Sequence, residues 1–190
     1  GVSTADRPAE PAEVATSVAS ACRDAGFVRL VATADGDALA ATGVLARALD
    51  SLGVPFQASV AEPPASPASG TEADVTVALG RADATADHAV PAGTTPVSET
   101  AFLIAQELGD AADPVLALAG ATAAETGPSG TLVEAATGPG TGIERRPGVA
   151  IPTADVADGL GHSTLVHAPF SGDPERVKAA LADLNLLAEA

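Results

Sequence analysis

The sequence predicts an α/β fold in which a mainly parallel sheet is flanked by helices. Three observations point there. Phe27 to Ala32 is an apolar run of strand length, Ala38 to Leu52 has helical periodicity, and Val54 to Val60 returns to a strand pattern. A strand–helix–strand unit of this kind closes as parallel neighbours through a right-handed crossover. A further apolar run, Asp74 to Leu79, supplies another strand.

The elements follow in chain order. Pro11 to Ala25 reads as a helix, with Val14, Val18 and Cys22 on one stripe and Gly26 at its end. The helix from Ala38 is apolar at Leu39, Val44, Leu45, Ala48 and Leu49, and Gly53 stops it. Residues 62 to 72 hold three Pro, two Ser and one Gly and read as a loop. A weaker strand is expected near Asp87 to Val90, then a helix from Pro96 or Ser98 to Leu108. Asp113-Pro114 is a cap followed by Pro at the first helical position, which opens a helix to about Ala124. Leu132 to Ala136 is a short helix and Gly138 to Gly148 a loop. Asp173-Pro174 repeats the cap signal before a last helix to about Leu187.

The 190 residues include 25 Asp and Glu against nine Lys and Arg, a net charge of −16. Apolar residues make up 46%, and Ala contributes about half of them, so the core buries less area per residue than one of Leu and Phe. The only adjacent basic pair is Arg145-Arg146, which argues against a free duplex-DNA binder. No stretch approaches the roughly 18 apolar residues of a membrane span. Gly1 to Ala12 shows no signal-peptide pattern, and the single Cys22 fits a reducing cytoplasm. The acidity, the near-absence of Lys and the small side chains fit a proteome adapted to molar salt. There the Debye length shrinks to about 3 Å and carboxylate repulsion is screened.

The most informative stretch is Asp35-Gly36-Asp37-Ala38, at the junction of the first strand and the next helix. Ligands of open α/β sheets bind at that edge. Two carboxylates two residues apart suit hard divalent cations, and Gly36 allows the tight turn between them. The competing reading is a plain helix cap, with Asp37 capping from just ahead of Ala38.

The segment Leu30 to Leu49 resembles the first motif of the DHH phosphoesterases, the superfamily of RecJ nucleases, oligoribonucleases and inorganic pyrophosphatases. Asp35 and Asp37 match the motif's two aspartates, and Val31 stands where the family has His. Later motifs follow in order, each eroded. The third strand leads only into Gly80-Arg81 where the family has a metal-ligating Asp, and Asp83 and Asp87 are the alternatives for that position. Asp87-His88-Ala89 echoes the eponymous triplet, short of one His. Pro96 to Ala101 resembles the family's Ser/Thr-rich helix start, and Ala119 to Gly127 its fourth motif, with Glu125 for Asp.

The resemblance covers about residues 27–130 and implies manganese chemistry on a phosphodiester. Its candidate ligands here are Asp35, Asp37, His88 and Glu125, enough for one weakly held Mn²⁺ rather than a two-metal centre. The segment Gly142 to Thr164 is similar to the corresponding region of RecJ-like proteins of salt-adapted archaea. Arg145, Arg146 and His162 are its candidate contacts to phosphate or nucleic acid, against a reading as surface charge and structural histidine. Cys22 reads as a buried structural thiol.

The expectation is therefore a leader over residues 1–10 and one DHH-domain-like α/β domain over 11–190, with a loop at 61–73. The family's C-terminal domain with its Gly-Gly-Gly-His element is not visible before Ala190. By resemblance the chain is a RecJ-like protein of DNA replication or repair, cytoplasmic, with weak or lost nuclease activity. Its implied partners are single-stranded nucleic acid and replication-helicase components, with no membrane. The alternative is an active Mn²⁺-dependent single-strand exonuclease or nucleotide phosphodiesterase. A generic α/β binding module is a third reading.

Overall fold

The computed structural model describes residues 10–60, 73–83, 85–109, 112–143, 148–164, 167–182 and 187–189. It divides into two compact units, residues 1–143 and 144–190, where the sequence reading took 11–190 as one domain. The leader before Glu10 and most of the 61–73 loop lie outside the described residues.

The first unit runs α1 (Pro11–Asp24), β1 (Val28–Ala32), α2 (Gly36–Leu52), β2 (Phe56–Val60), β3 (Val75–Gly80), β4 (His88–Pro91), α3 (Val97–Leu108), α4 (Pro114–Ala123) and α5 (Gly130–Ala136). Its four strands are all parallel, in the order β2-β1-β3-β4. The fold is α/β with a parallel sheet and flanking helices, as the strand–helix–strand pattern requires.

Register fixes the core. Leu30 pairs with Val77 and Ala32 with Leu79, so these side chains share a sheet face and are buried. They join Val18 and Cys22 of α1, Val44, Leu45 and Leu49 of α2, and Ile104 of α3. Burial pushes the Cys22 thiol up to about 11, so it packs as a small hydrophobe. On α2 the buried stripe is Ala41, Val44, Leu45, Ala48 and Leu49, spaced three and four apart. Leu39, which the sequence placed on that stripe, falls off its phase and is 47% exposed.

Small residues set the helix–helix distances. A Cβ at position 120 of α4 would lie 2.5 Å from the Ala40 Cβ and 2.7 Å from the Ser98 Cβ, so glycine lets α2, α3 and α4 meet. Asp113 caps α4 by accepting from the amides of Val115 and Leu116, and it also pairs with Arg47 of α2.

β3 and β4 are parallel neighbours joined by only residues 81–87, shorter than the usual crossover of roughly a dozen residues. The short β4 makes this feasible, because it begins opposite Val77 rather than at the start of β3. Just ahead of β4, Asp87 accepts from the Thr76 amide at 2.8 Å and extends the ladder with a side chain.

The second unit holds β5 (Gly148–Pro152), α6 (Val156–His162), α7 (Pro174–Leu181) and β6 (Leu187–Glu189), with β5 and β6 parallel. Here the sequence reading is corrected. The last helix ends at Leu181 instead of about Leu187, and Leu187 begins a strand. The strand from Gly148 and helix α6 were not foreseen. The strand is bounded by Gly and Pro, which read as loop punctuation, and the helix carries two glycines. Among the described residues no helix is long and apolar enough to cross a membrane.

Candidate functional site: an acidic cleft at the carboxyl edge of the sheet

β1 ends at Ala32, and the chain turns through Thr33 and Ala34 into Asp35. Asp35, not Asp37, is the N-cap of α2. Its Oδ1 accepts from the Ala38 amide at 2.9 Å, and its Oδ2 accepts from the Thr33 hydroxyl. The helix therefore starts two residues earlier than the sequence reading put it, and Asp37 lies in its first turn.

Asp37 is 7% exposed. Its Oδ2 accepts from the Val97 amide at 2.7 Å, and its Oδ1 accepts from the Ser98 amide at 2.9 Å and the Ser98 hydroxyl. Val97 and Ser98 open α3, whose first amides have no partner within the helix. The carboxylate meets both the orphan amides and the positive end of the helix dipole.

Asp35 and Asp37 line a cleft of about 400 Å³. Its other walls are the β4–α3 loop at Ala92, Gly93, Thr95 and Pro96, and the end of α4 from Ala123 to Thr126. All three come from the carboxyl edge of the sheet, the edge at which ligands of open α/β folds bind. Glu125 is brought to the cleft from more than eighty residues away in sequence, and it is exposed there, as Asp35 is.

His88 is not among the residues lining the cleft. It begins β4 opposite Val77, three residues before Pro91, which pairs with Gly80 at the carboxyl edge. At about 3.3 Å per residue that sets it back by about 10 Å. The expectation that His88 joins Asp35, Asp37 and Glu125 as a ligand is thus corrected by strand register.

Position 80 explains a second departure. Gly80 has φ +89°, and a Cβ there would lie 2.0 Å from the Thr33 Oγ1 and 3.0 Å from the Ala38 Cβ. The end of β3 has no room for a side chain, let alone a carboxylate. The alternatives are engaged elsewhere. Asp83 accepts from the Thr85 amide and hydroxyl and from Arg81, contacts that lower its pKa. Asp87 caps the Thr76 amide, toward the amino end of β3.

Among the described residues no three His, Cys, Asp or Glu side chains gather as a group that could hold a metal ion. The residues present do not fit a pair of manganese ions. Asp37 is buried with three donors on its carboxylate, position 80 is closed, and His88 is set back from the cleft.

In the second unit His162 ends α6, and its Nδ1 lies 3.1 Å from the Asp158 carbonyl and 3.2 Å from the Asp158 carboxylate. That nitrogen is engaged within its own helix, while the side chain as a whole is exposed. Arg145 and Arg146 lie outside the described residues. Sequence reasoning missed the roles of Thr33, Gly80 and Gly120, which are contacts between distant segments. Ser98 was visible as part of a Ser/Thr-rich helix start, but its partner Asp37, 61 residues away, was not.

Comparison with known proteins adds a relative and no family. No family model matches the chain. An uncharacterized protein of the halophile Haloarcula marismortui is 50% identical over 185 residues, 97% of this chain. That match is 48% of the relative, so the chain spans about half the length of the curated relative it matches. The relative's halophilic source fits the acidic, Lys-poor composition of this chain.

Proposed function

We propose that the chain is a RecJ-like protein of the DHH phosphoesterase superfamily, tied to DNA replication or repair, with nuclease activity that is weak or lost. The observation that carries the reading is the cleft itself. Asp35, Asp37 and Glu125, separated in sequence but matched to two motifs of the resemblance, line one cleft at the carboxyl edge of a parallel sheet. The weakness of turnover follows from ligand count. Hydrolysis by two ions ~3.5–4 Å apart needs several carboxylate and imidazole ligands, one of them bridging. In this cleft only Asp35 and Glu125 present exposed carboxylates, a set suited to one hydrated cation at most.

Exposure of both those carboxylates favours the second reading, an Mn²⁺-dependent single-strand exonuclease or nucleotide phosphodiesterase. One assay separates the two. Purified protein in molar KCl with Mn²⁺ is offered single-stranded DNA, RNA and dinucleotides. The expected result is hydrolysis near background. Robust hydrolysis abolished by Asp35→Ala would establish the second reading instead. Recovery of replication-helicase components from cell extract tests the partner half of the proposal.

A further inference from the structure

We propose that Asp37 is the built-in anion of α3, a clasp between α2 and α3 rather than a ligand for anything bound in the cleft. A helix amino terminus with free amides is a seat for phosphate or carboxylate. Here the seat is filled from within. The Asp37 carboxylate accepts from the Val97 amide at 2.7 Å, the Ser98 amide at 2.9 Å and the Ser98 hydroxyl, and is almost wholly buried. Three donors on the Asp37 carboxylate leave a metal ion at most one free lone pair, on the buried Oδ2, unless it displaces a donor and leaves it unsatisfied. The close packing behind the clasp fixes its geometry. Gly120 of α4 admits both Ala40 of α2 and Ser98 of α3, so the two helices that the hydrogen bonds join pack against the same helix. A ligand entering the cleft finds the Val97 and Ser98 amides of α3 already taken by the protein's own carboxylate. This inference does not depend on the nuclease reading, because it follows from the three donors that hold the buried Asp37 carboxylate.

The test is anion rescue. Asp37→Gly removes the carboxymethyl group and vacates a space shaped like acetate. In potassium chloride its melting temperature is expected to fall by about 10 °C. Exchanging chloride for acetate at constant ionic strength is expected to raise the variant at least ~3 °C more than wild type. An equal response of the two proteins overturns the clasp, because a merely structural loss has no preference for a carboxylate. The second variant, Asp37→Asn, keeps one acceptor oxygen. Its Val97 and Ser98 amides are expected to exchange with solvent at least about tenfold faster than in wild type. Unchanged protection overturns the proposal, and this readout decides if Asp37→Gly folds in neither salt. Finally, if Mn²⁺ stabilises wild type and Asp37→Asn abolishes that effect, Asp37 is a metal ligand and the clasp is wrong. Hydrolysis by wild type would overturn the proposed function and leave the anion test standing.

Discussion

At the level of single residues, the cleft depends on what cannot be placed there. Gly80 combines a left-handed φ of +89° with a Thr33 hydroxyl in the space of its missing side chain. The Thr33 amide donates to the Leu79 carbonyl at 3.0 Å, which continues the sheet past β1 and holds Thr33 in place. Gly80→Ala is therefore expected to cost about 3 kcal/mol, from the left-handed penalty and the clash together. Denaturant unfolding in molar KCl measures it. Removing the hydroxyl in a Thr33→Ala background should recover about 1 kcal/mol, the coupling between touching positions. A cost below about 0.5 kcal/mol would show that the β3 end relaxes freely.

Among the elements, α4 has the least latitude. It has no strongly apolar stripe facing a single partner; it is short, Ala-rich, and wedged between α2 and α3 by Gly120, with Leu116 against Gly43 and Ala123 against Gly36. Its end carries Glu125 to the cleft, so its packing sets the position of a candidate site residue. Gly120→Ala forces Ala40 or Ser98 to move and is expected to destabilise by about 1–3 kcal/mol. The better helix propensity of Ala offsets at most about 1 kcal/mol of this. Thermal melting gives the net value, and a rise in melting temperature would show that α4 can shift outward without strain.

For the whole molecule, acidity is the dominant physical fact. Many carboxylates are engaged by backbone amides. Asp35, Asp37, Asp74, Asp87, Asp113, Asp155 and Asp173 accept from amides at helix starts and strand ends, and among the described residues only Asp113 and Asp173 of these also pair with an Arg. Exposed ion pairs such as Arg176 with Asp173 and Lys178 with Glu175 contribute little. The net charge of −16 is thus left to the solvent, on a core whose burial is limited by Ala. Lowering KCl from molar to ~0.1 M is expected to lower the melting temperature by about 10 °C or more, as screening length grows from about 3 to 10 Å. An unchanged melting temperature would mean that the acidity answers to a basic partner instead.

The sequence by itself determined the α/β class, the parallel β1-α2-β2 unit, the Asp113-Pro114 and Asp173-Pro174 helix starts and the position of Asp35 at the carboxyl edge. Each of these is a local signal: periodicity, a cap, or a glycine stop. Tertiary structure alone decided what the carboxylates do. Asp37 looked like a cap or a ligand and is a clasp, because its donors arrive from a helix 60 residues onward. His88 looked like a ligand and is withdrawn, because the register of β4 against Val77 sets it back from the edge. Glu125 reached the cleft and Gly80 closed against Thr33 through the packing of distant segments. A residue's type and neighbours fix its element, but only the approach of other elements fixes which of its atoms remain free for chemistry.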